Sequence, residues 1–462
     1  MSTYHLETLV HDPIHGYIPY VDLGEGAEVC ERDILHHPWV QRLRHIHQLQ
    51  SAWWVYPSAE HSRYPHVIGV MHLASRWIEH LYPSLKSVCP DVPSRGYIET
   101  LMRMAGLLHD VGHGPFGHFF DEHFLHQFSL THESLGAHII RDQLGDLLSQ
   151  LRSNPNSRLA DGEQLDVEQI AWIIQRPINS DDDQQPKWLI LLRSLLSGIY
   201  TIDNMDFVLR DAYMTGYSQR SYDMDRLMRY TFFSNEGLTL HERGIPALLR
   251  FTAARAELFC NIYYHRRVRA IDLALSDVFE DSITELFPGD PQQHMQQYLH
   301  FTDSSLLAEV ATWSASTGSQ QSLGRRWDQI LHCRIAWEMA CQQTFSFGES
   351  ASEGSSIFCD ARYVESKLRD ALPADLHDIE LRVDIARYLN RPHTPGESIP
   401  QNYYIDPASD CIRPLVTHPL VGQQVVVQRI CRVFTKDMQY RSAITEALEK
   451  LTGQGADDLT NM

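Results

Sequence analysis

The stretch "AGLLHDVGHGPFGHFFDEHF", residues 105–124, carries His109, His113, His118 and His123 with Asp110 and Asp121, and His132 follows shortly after. Imidazole nitrogen mixed with carboxylate oxygen suits borderline to hard divalent ions such as Mn, Mg, Fe or Zn. Histidine also titrates near neutrality, so the same residue types can move protons. A core rarely accepts so many titratable groups unless they pair with one another or bind an ion. His109 and Asp110 are adjacent, and adjacent helical side chains diverge by about 100°. Both can face one ion only at a helix end, and Gly112, Gly114 and Pro115 supply that end directly after Asp110. His123 fits as an ordinary helix-face histidine.

The elements that must position these groups read as mostly helical. The apolar spacing predicts helices over 97–110, 188–214, 247–287 and 322–343. "FGESASEGSS" (347–356), "INSDDDQQP" (178–186) and "RPHTPGESIP" (391–400) read as loops. Beyond them "IELRVDIA", "NYYID" and "QQVVVQRICRVFT" have the Val, Ile and Tyr content of short strands. Two domains are expected: residues 1–345, helical and holding the chemistry, and a C-terminal α/β lobe over 346–462. Eighteen of the 26 histidines fall in the first 140 residues, which places the chemistry in the first domain.

Composition narrows the function classes. A net charge of −20 repels a phosphate backbone, so a nucleic-acid partner is not expected. The eight cysteines form no C-x-x-C pair or regular framework, and no apolar run approaches a bilayer span, so a cytoplasmic, membrane-free protein is expected. Only five of the 39 cationic residues are lysine, so any phosphate site would be built from arginine. Arg255, Phe259, Ile262, Arg266 and Arg269 fall at helical spacing along one face, which fits a polyphosphate grip and a solvated basic stripe equally well.

"HDVGHGPFGHFFD", with "DPIHGYI", "HPWVQRLRHIHQL" and "RYPHVIGV" upstream, resembles the HD-domain phosphohydrolases. The similarity is to the deoxynucleoside triphosphate triphosphohydrolase branch that includes the vertebrate enzyme carrying a sterile alpha motif. It covers roughly residues 9–275, with a weaker echo at "VVQRICRVFT". The resemblance implies a mainly α fold, an HD-domain helical core with a smaller C-terminal α/β lobe. No sterile alpha motif domain is expected ahead of "DPIHG".

The resemblance implies one divalent ion held by His66, His109, Asp110 and Asp203, with Asp206 the near alternative to Asp203. It implies a catalytic set of His113, His118, Asp121 and His132, in which His118 is the general acid and the others position or deprotonate water and contact phosphate. Substrate-binding residues would be Arg63 on the α-phosphate, Arg255 and Arg266 on the outer phosphates, Tyr263 and His265 by the sugar, and Gln48 and Leu49 by the 3′-hydroxyl. The implied reaction hydrolyses a dNTP to deoxynucleoside and inorganic triphosphate. The alternatives are an HD-type phosphomonoesterase or phosphodiesterase on other nucleotides, and a non-catalytic nucleotide-binding regulator.

The resemblance also implies an allosteric homo-oligomer, dimer or tetramer, with a nucleotide activator at subunit interfaces. Arg42 and Arg44 match a segment tied to such regulation, although by themselves they read as arginines on a helix surface. Asn204 and Phe207 depart from the lysine and tyrosine of the vertebrate pattern, and both changes remove phosphate contacts.

Overall fold

The computed structural model describes residues 6–24, 26, 28–175, 185–347, 357–389, 402–424 and 427–452. The loops expected over 348–356 and 391–400, and most of the one over 178–186, lie outside the described residues. By contacts the chain forms two units that interleave in sequence: Met1–Arg255, Ile283–Glu309 and His393–Gly422, then Ala256–Ser282, Val310–Pro392 and Gln423–Met462.

The first unit is built on α1 (Arg63–Val88) and α2 (Arg95–Leu108). Val67, Val70, Met71, Ala74, Trp77, Ile78 and Leu81 on α1, and Leu101, Met102, Ala105 and Leu108 on α2, recur at helical spacing and are buried. Each such side chain contributes roughly 1.5–3 kcal/mol by leaving water. α2 begins where the Ser94 hydroxyl accepts the Tyr97 N–H and ends at Leu108, so His109 and Asp110 stand at its C-terminal mouth. The loop after it leads into α3 (His118–His123) and then α4 (His132–Ile139).

The helix expected over 188–214 is broken. Lys187–Arg193 is helical, and the chain then turns before α5 (Ile202–Met214) begins at the Thr201 cap, whose hydroxyl accepts the Asn204 N–H. Asp203 therefore lies in a first helical turn, where the helix dipole favours an acid. At the N-terminus a hairpin of β1 (Glu7–Asp12) and β2 (Gly16–Val21) precedes these helices. β3 (Thr231–Phe233), β4 (Leu238–His241) and two later strands form a four-stranded sheet in this unit, described below.

The helix expected over 247–287 is also interrupted. It divides into α6 (Ile245–Leu258), a π-turn over Phe259–Tyr263 and α7 (Arg266–Leu286). The single face expected to carry Arg255, Phe259, Ile262, Arg266 and Arg269 is lost. Ile262 is buried, and Arg269 is ion-paired with Asp384 at 2.6 Å and Asp272 at 3.0 Å. Two short helices, α8 (Met295–His300) and α9 (Asp303–Val310), return the chain to the first unit.

In the second unit α10 (Ser319–Leu331) ends soon before Cys333, which adopts φ +52°. The expected helix over 322–343 gives way to β5 (Glu338–Phe347), whose burial alternates from Cys341 to Ser346 with the period of a half-buried strand. β6 (Leu381–Leu389) and β9 (Val427–Thr435) complete an antiparallel sheet of order β5-β9-β6. α11 (Ala361–Ala371) and α12 (Arg441–Thr452) pack their Val364, Leu368, Ile444 and Leu448 against Val383, Cys431 and Val433 of the sheet. β7 (Asn402–Asp406) and β8 (Cys411–Pro414) belong to the first unit, in a sheet of order β8-β7-β4-β3 where β4 and β7 run parallel. The fold class is as expected, mainly helical with smaller strand-bearing parts toward the C-terminus. Among the described residues no helix is long and apolar enough to cross a membrane.

Candidate active site

Three elements of the first unit deliver one group of side chains to a common space. His66 comes from the first turn of α1, His109 and Asp110 from the end of α2, and Asp203 from the first turn of α5. His66 Nε2 lies 3.2 Å from Asp203 Oδ1 and 3.9 Å from Asp110 Oδ2. His109 Nε2 lies 3.6 Å from Asp203 Oδ1 and 3.4 Å from Asp110 Oδ1. One ligand atom from each of His66, His109 and Asp203 lies within 4.8 Å of the others.

These residues fit a divalent ion on two observations. The far ring nitrogens are already engaged, His66 Nδ1 with Asp206 Oδ2 and His109 Nδ1 with the Gly106 carbonyl, both at 2.8 Å, which turns each Nε2 inward. His109 Nε2 is buried with no hydrogen-bond partner among the described residues. Burial by itself would lower the His66 imidazole, but hydrogen bonds with Asp203 and Asp206 raise it to about 10. Burial would raise Asp203, yet the two histidines hold it far below the usual carboxylate range. Burial would likewise raise Asp110, and the charges of His109, Arg63 and His113 hold it well down.

Asp206, the near alternative as a ligand, instead stands behind His66. It receives both Arg210 Nε and Nη2 at 2.8 Å and contacts His15 Nε2 at 2.6 Å, while Arg210 also reaches Asp12 at 2.7 Å. Only glycine fits at position 69 on α1, because a Cβ there would lie 2.0 Å from Asp206 Oδ1. The "DPIHG" segment thus supplies Asp12 and His15 to the network behind His66, a role that no spacing in the sequence displays. Outer partners of this kind are worth about 10–100-fold in metal affinity or activity. Asp206→Asn is expected to weaken Mn binding by about that factor, whereas Asp225→Asn, at an exposed pair with Arg76, leaves the titration unchanged.

A second group sits across Asp110. His113 and His132 stack at 3.8 Å with nearly parallel rings, and His118 meets each edge-on at 4.9 and 5.0 Å. Asp121 Oδ2 accepts from His132 Nδ1 at 2.5 Å and lies 3.4 Å from His118 Nδ1. Burial would lower His132, but Asp121 and Glu133 raise it. Burial lowers His113 strongly, and the charges of Arg63 and His132 lower it further. Neither His113 ring nitrogen has a hydrogen-bond partner among the described residues, although Nε2 lies 3.3 Å from Asp110 Oδ1. The two stacked rings are thus pushed in opposite directions, His113 down and His132 up, and His118, 68% exposed, faces solvent.

Arg63 joins the two groups. Its Nη1 donates to Asp110 Oδ2 at 2.6 Å, and its buried Nε has no partner among the described residues. Gly117 adopts φ +55°, and a Cβ there would lie 2.4 Å from Arg63 Nη2, so glycine serves both conformation and space. Leu49 is buried beside Gln48, whose Oε1 is buried without a partner among the described residues. Arg255 ends the first unit's long segment, while Tyr263, His265 and Arg266 belong to the second. Burial, then the charges of Arg266, Arg432 and Arg267, push the His265 imidazole down.

His123 stacks on Phe119 at 4.1 Å and stands outside both groups. Arg42 is not a surface arginine. It is fully buried, with Nη1 donating to the carbonyls of Val111 and His113 and Nη2 to those of Tyr298 and Phe301. Arg44 packs over the Tyr64 ring at 3.6 Å.

Residues 63–184, which carry His66, His109 and Asp110, match the family model for the HD domain. The chain is similar to the deoxynucleoside triphosphate triphosphohydrolase SAMHD1 of Homo sapiens, 27% identical over 337 residues that cover 66% of this chain and 51% of the relative. It is 26% identical over 323 residues to the SAMHD1 homolog of Dictyostelium discoideum, covering 66% and 55%, and 28% identical over 272 residues to the uncharacterized protein YwfO of Bacillus subtilis, covering 59% and 55%. The chain spans about half the length of the curated relatives it matches. The crystal structure of a hypothetical protein from Aquifex aeolicus shares the fold, with a TM-score of 0.69 and 21% identity over 96% of this chain and all of that one.

Proposed function

We propose that this chain is a metal-dependent phosphohydrolase that converts dNTPs to deoxynucleoside and inorganic triphosphate. The observation that carries the reading is the pairing of a His66, His109, Asp110 and Asp203 set with a separate set of imidazoles, with Arg63 anchored on Asp110. The ion bound by the first set would supply Lewis-acid stabilisation of charge on phosphoryl oxygen. Relatives whose names carry the dNTP triphosphohydrolase activity support the substrate class.

Each protein residue has a definite task in the proposed reaction. Arg63, anchored by one nitrogen on Asp110, turns its Nε, which has no partner among the described residues, to the α-phosphate. His113, whose ring nitrogens have no hydrogen-bond partner among the described residues, and His132, held by Asp121, orient the attacking water toward phosphorus. The P–O bond to the 5′ oxygen breaks as the new P–O bond forms. His118 gives the leaving oxygen its proton, and the proton lost by water passes to the His113, His132 and Asp121 set. Gln48 Oε1 accepts the sugar's 3′-hydroxyl, with Leu49 beside it. Arg255 and Arg266 take the outer phosphates, and Tyr263 with His265 disfavour a ribose 2′-hydroxyl. A site that leaves an added hydroxyl unpaired discriminates against it.

A second reading, phosphomonoester or phosphodiester hydrolysis on the same scaffold, is favoured by one observation. Asn204 and Phe207 stand where a lysine and a tyrosine would contact phosphate, and Asn204 is buried at the start of α5. The product decides. Incubation with each dNTP and NTP in Mn, Mg or Fe is expected to give deoxynucleoside and triphosphate from dNTPs; orthophosphate or a nucleoside monophosphate would establish the second reading instead. A nucleotide activator and a homo-oligomeric, cytoplasmic state belong to the same proposal, and size measurement with and without nucleotide tests assembly.

A further inference from the structure

Between the loop that carries the imidazoles and the loop that carries Gln48 stands a carboxylate that neither group includes. Asp303, in the first turn of α9, is completely buried. Its Oδ1 accepts the Phe116 N–H at 2.7 Å. Its Oδ2 accepts the His47 N–H and the His47 Nδ1–H, each at 2.8 Å. An ionised carboxylate only accepts, so all three contacts are donations to Asp303.

The two clients of this carboxylate flank the proposed chemistry. Phe116 is a non-glycine residue at φ +61°, a strained conformation that persists only where its surroundings enforce it. It precedes Gly117 and His118, so the direction of its peptide sets where His118 begins α3. His47 precedes Gln48 and Leu49 and stacks on Trp53 at 4.4 Å. The same stretch of chain also donates Tyr298 Oη to the Gly112 carbonyl at 2.8 Å, and Arg42 ties the carbonyls of Val111 and His113 to those of Tyr298 and Phe301. The 111–116 loop is thus gripped along its backbone by residues nearly two hundred positions later.

We propose that Asp303 is a positioning residue that fixes the spacing between His118 and the Gln48–Leu49 pair, one carboxylate oxygen per loop, and so sets both turnover and the hold on the sugar's 3′-hydroxyl. The proposal rests on the triphosphohydrolase reading for its kinetic consequences and on hydrogen bonding alone for its structural ones. A misplacement of about 1 Å at a reacting group can cost on the order of 10²-fold in rate. Asp303→Ala frees both loops. Asp303→Asn keeps an acceptor for Phe116 but meets two His47 donors with an amide, and His47→Ala loosens the sugar side alone, removing the imidazole contact and leaving the backbone N–H in place.

The test measures, for the full chain and these three variants, bound Mn per chain, kcat and KM on dNTPs and NTPs, and amide hydrogen exchange over 46–49 and 113–118. Asp303→Ala is expected to retain the ion, lose on the order of 10²-fold in kcat and exchange faster in both segments. Asp303→Asn and His47→Ala are expected to keep most of kcat and to raise KM for dNTPs as the 3′-hydroxyl contact loosens. Unchanged kcat and KM in a folded, ion-loaded Asp303→Ala would overturn the proposal, as would a fall in thermal stability with kinetics intact. Should Asp303→Ala not fold, an unaltered KM in the other two variants overturns it. Should the wild type release no triphosphate, the reaction assignment falls while the exchange data still decide on Asp303: faster exchange in both segments upholds it and unchanged exchange ends it.

Discussion

His109→Ala is expected to release the ion and to lower turnover by more than the 10–100-fold that an outer partner is worth, with chelation of the wild type giving the same loss. The reason is geometric: His109 Nε2 is buried and has no hydrogen-bond partner among the described residues, so an ion is the natural occupant of that direction. The pH dependence of loading follows from His66. Its imidazole rises from an ordinary 6.5 to about 10, so the ion-free protein keeps a proton on the ring at neutral pH. The stability that this charged form contributes against Asp203 and Asp206 is fully present below about 6.5 and is lost as pH rises through about 10. An ion must displace that proton, so apparent metal affinity rises with pH across the same window. Metal titration at stepped pH with a proton-release readout checks it, and a pH-independent affinity would remove His66 from the ligand set.

The second large effect concerns the stacked imidazoles. His118→Ala and His132→Ala are each expected to lower kcat by roughly 10²–10⁴-fold while the bound ion, held by the other set, stays. The two losses are expected not to add, because groups that act as a unit fail together. Asp121→Asn should resemble His132→Ala and carry a further signature. Asp121 raises His132 against the lowering by burial, so its removal moves the acid limb of the pH–rate profile, below which His132 is unable to take the proton from water, to lower pH. Full activity in His118→Ala with the ion intact would end its assignment as the general acid.

Much of the site was legible because its chemistry is local. "HDVGHGPFGH" puts a helix end directly after Asp110, and α2 does stop at Leu108 for the glycine and proline reasons read from that string. The His113, His118, Asp121 and His132 set lies within 20 residues of chain and is brought together as one group. His66 and Asp203 were reachable only through resemblance, since their separation along the chain carries no information about space. The misread helices share a cause. Over 188–214, 247–287 and 322–343 the apolar spacing was right in parts but blind to the Thr201 cap, the π-turn at Phe259–Tyr263 and the left-handed Cys333.

The sequence by itself determined the residue types that can hold an ion and move protons, the mainly helical class and the end of the helix on which the chemistry turns. Local spacing and turn residues encode these. Only the tertiary structure decided which partner each group meets. It set Asp206 behind His66, buried Arg42 among backbone carbonyls and brought Asp303 between two loops. A buried charge or peptide must find its hydrogen bonds wherever packing brings a partner, and that partner can lie anywhere along the chain.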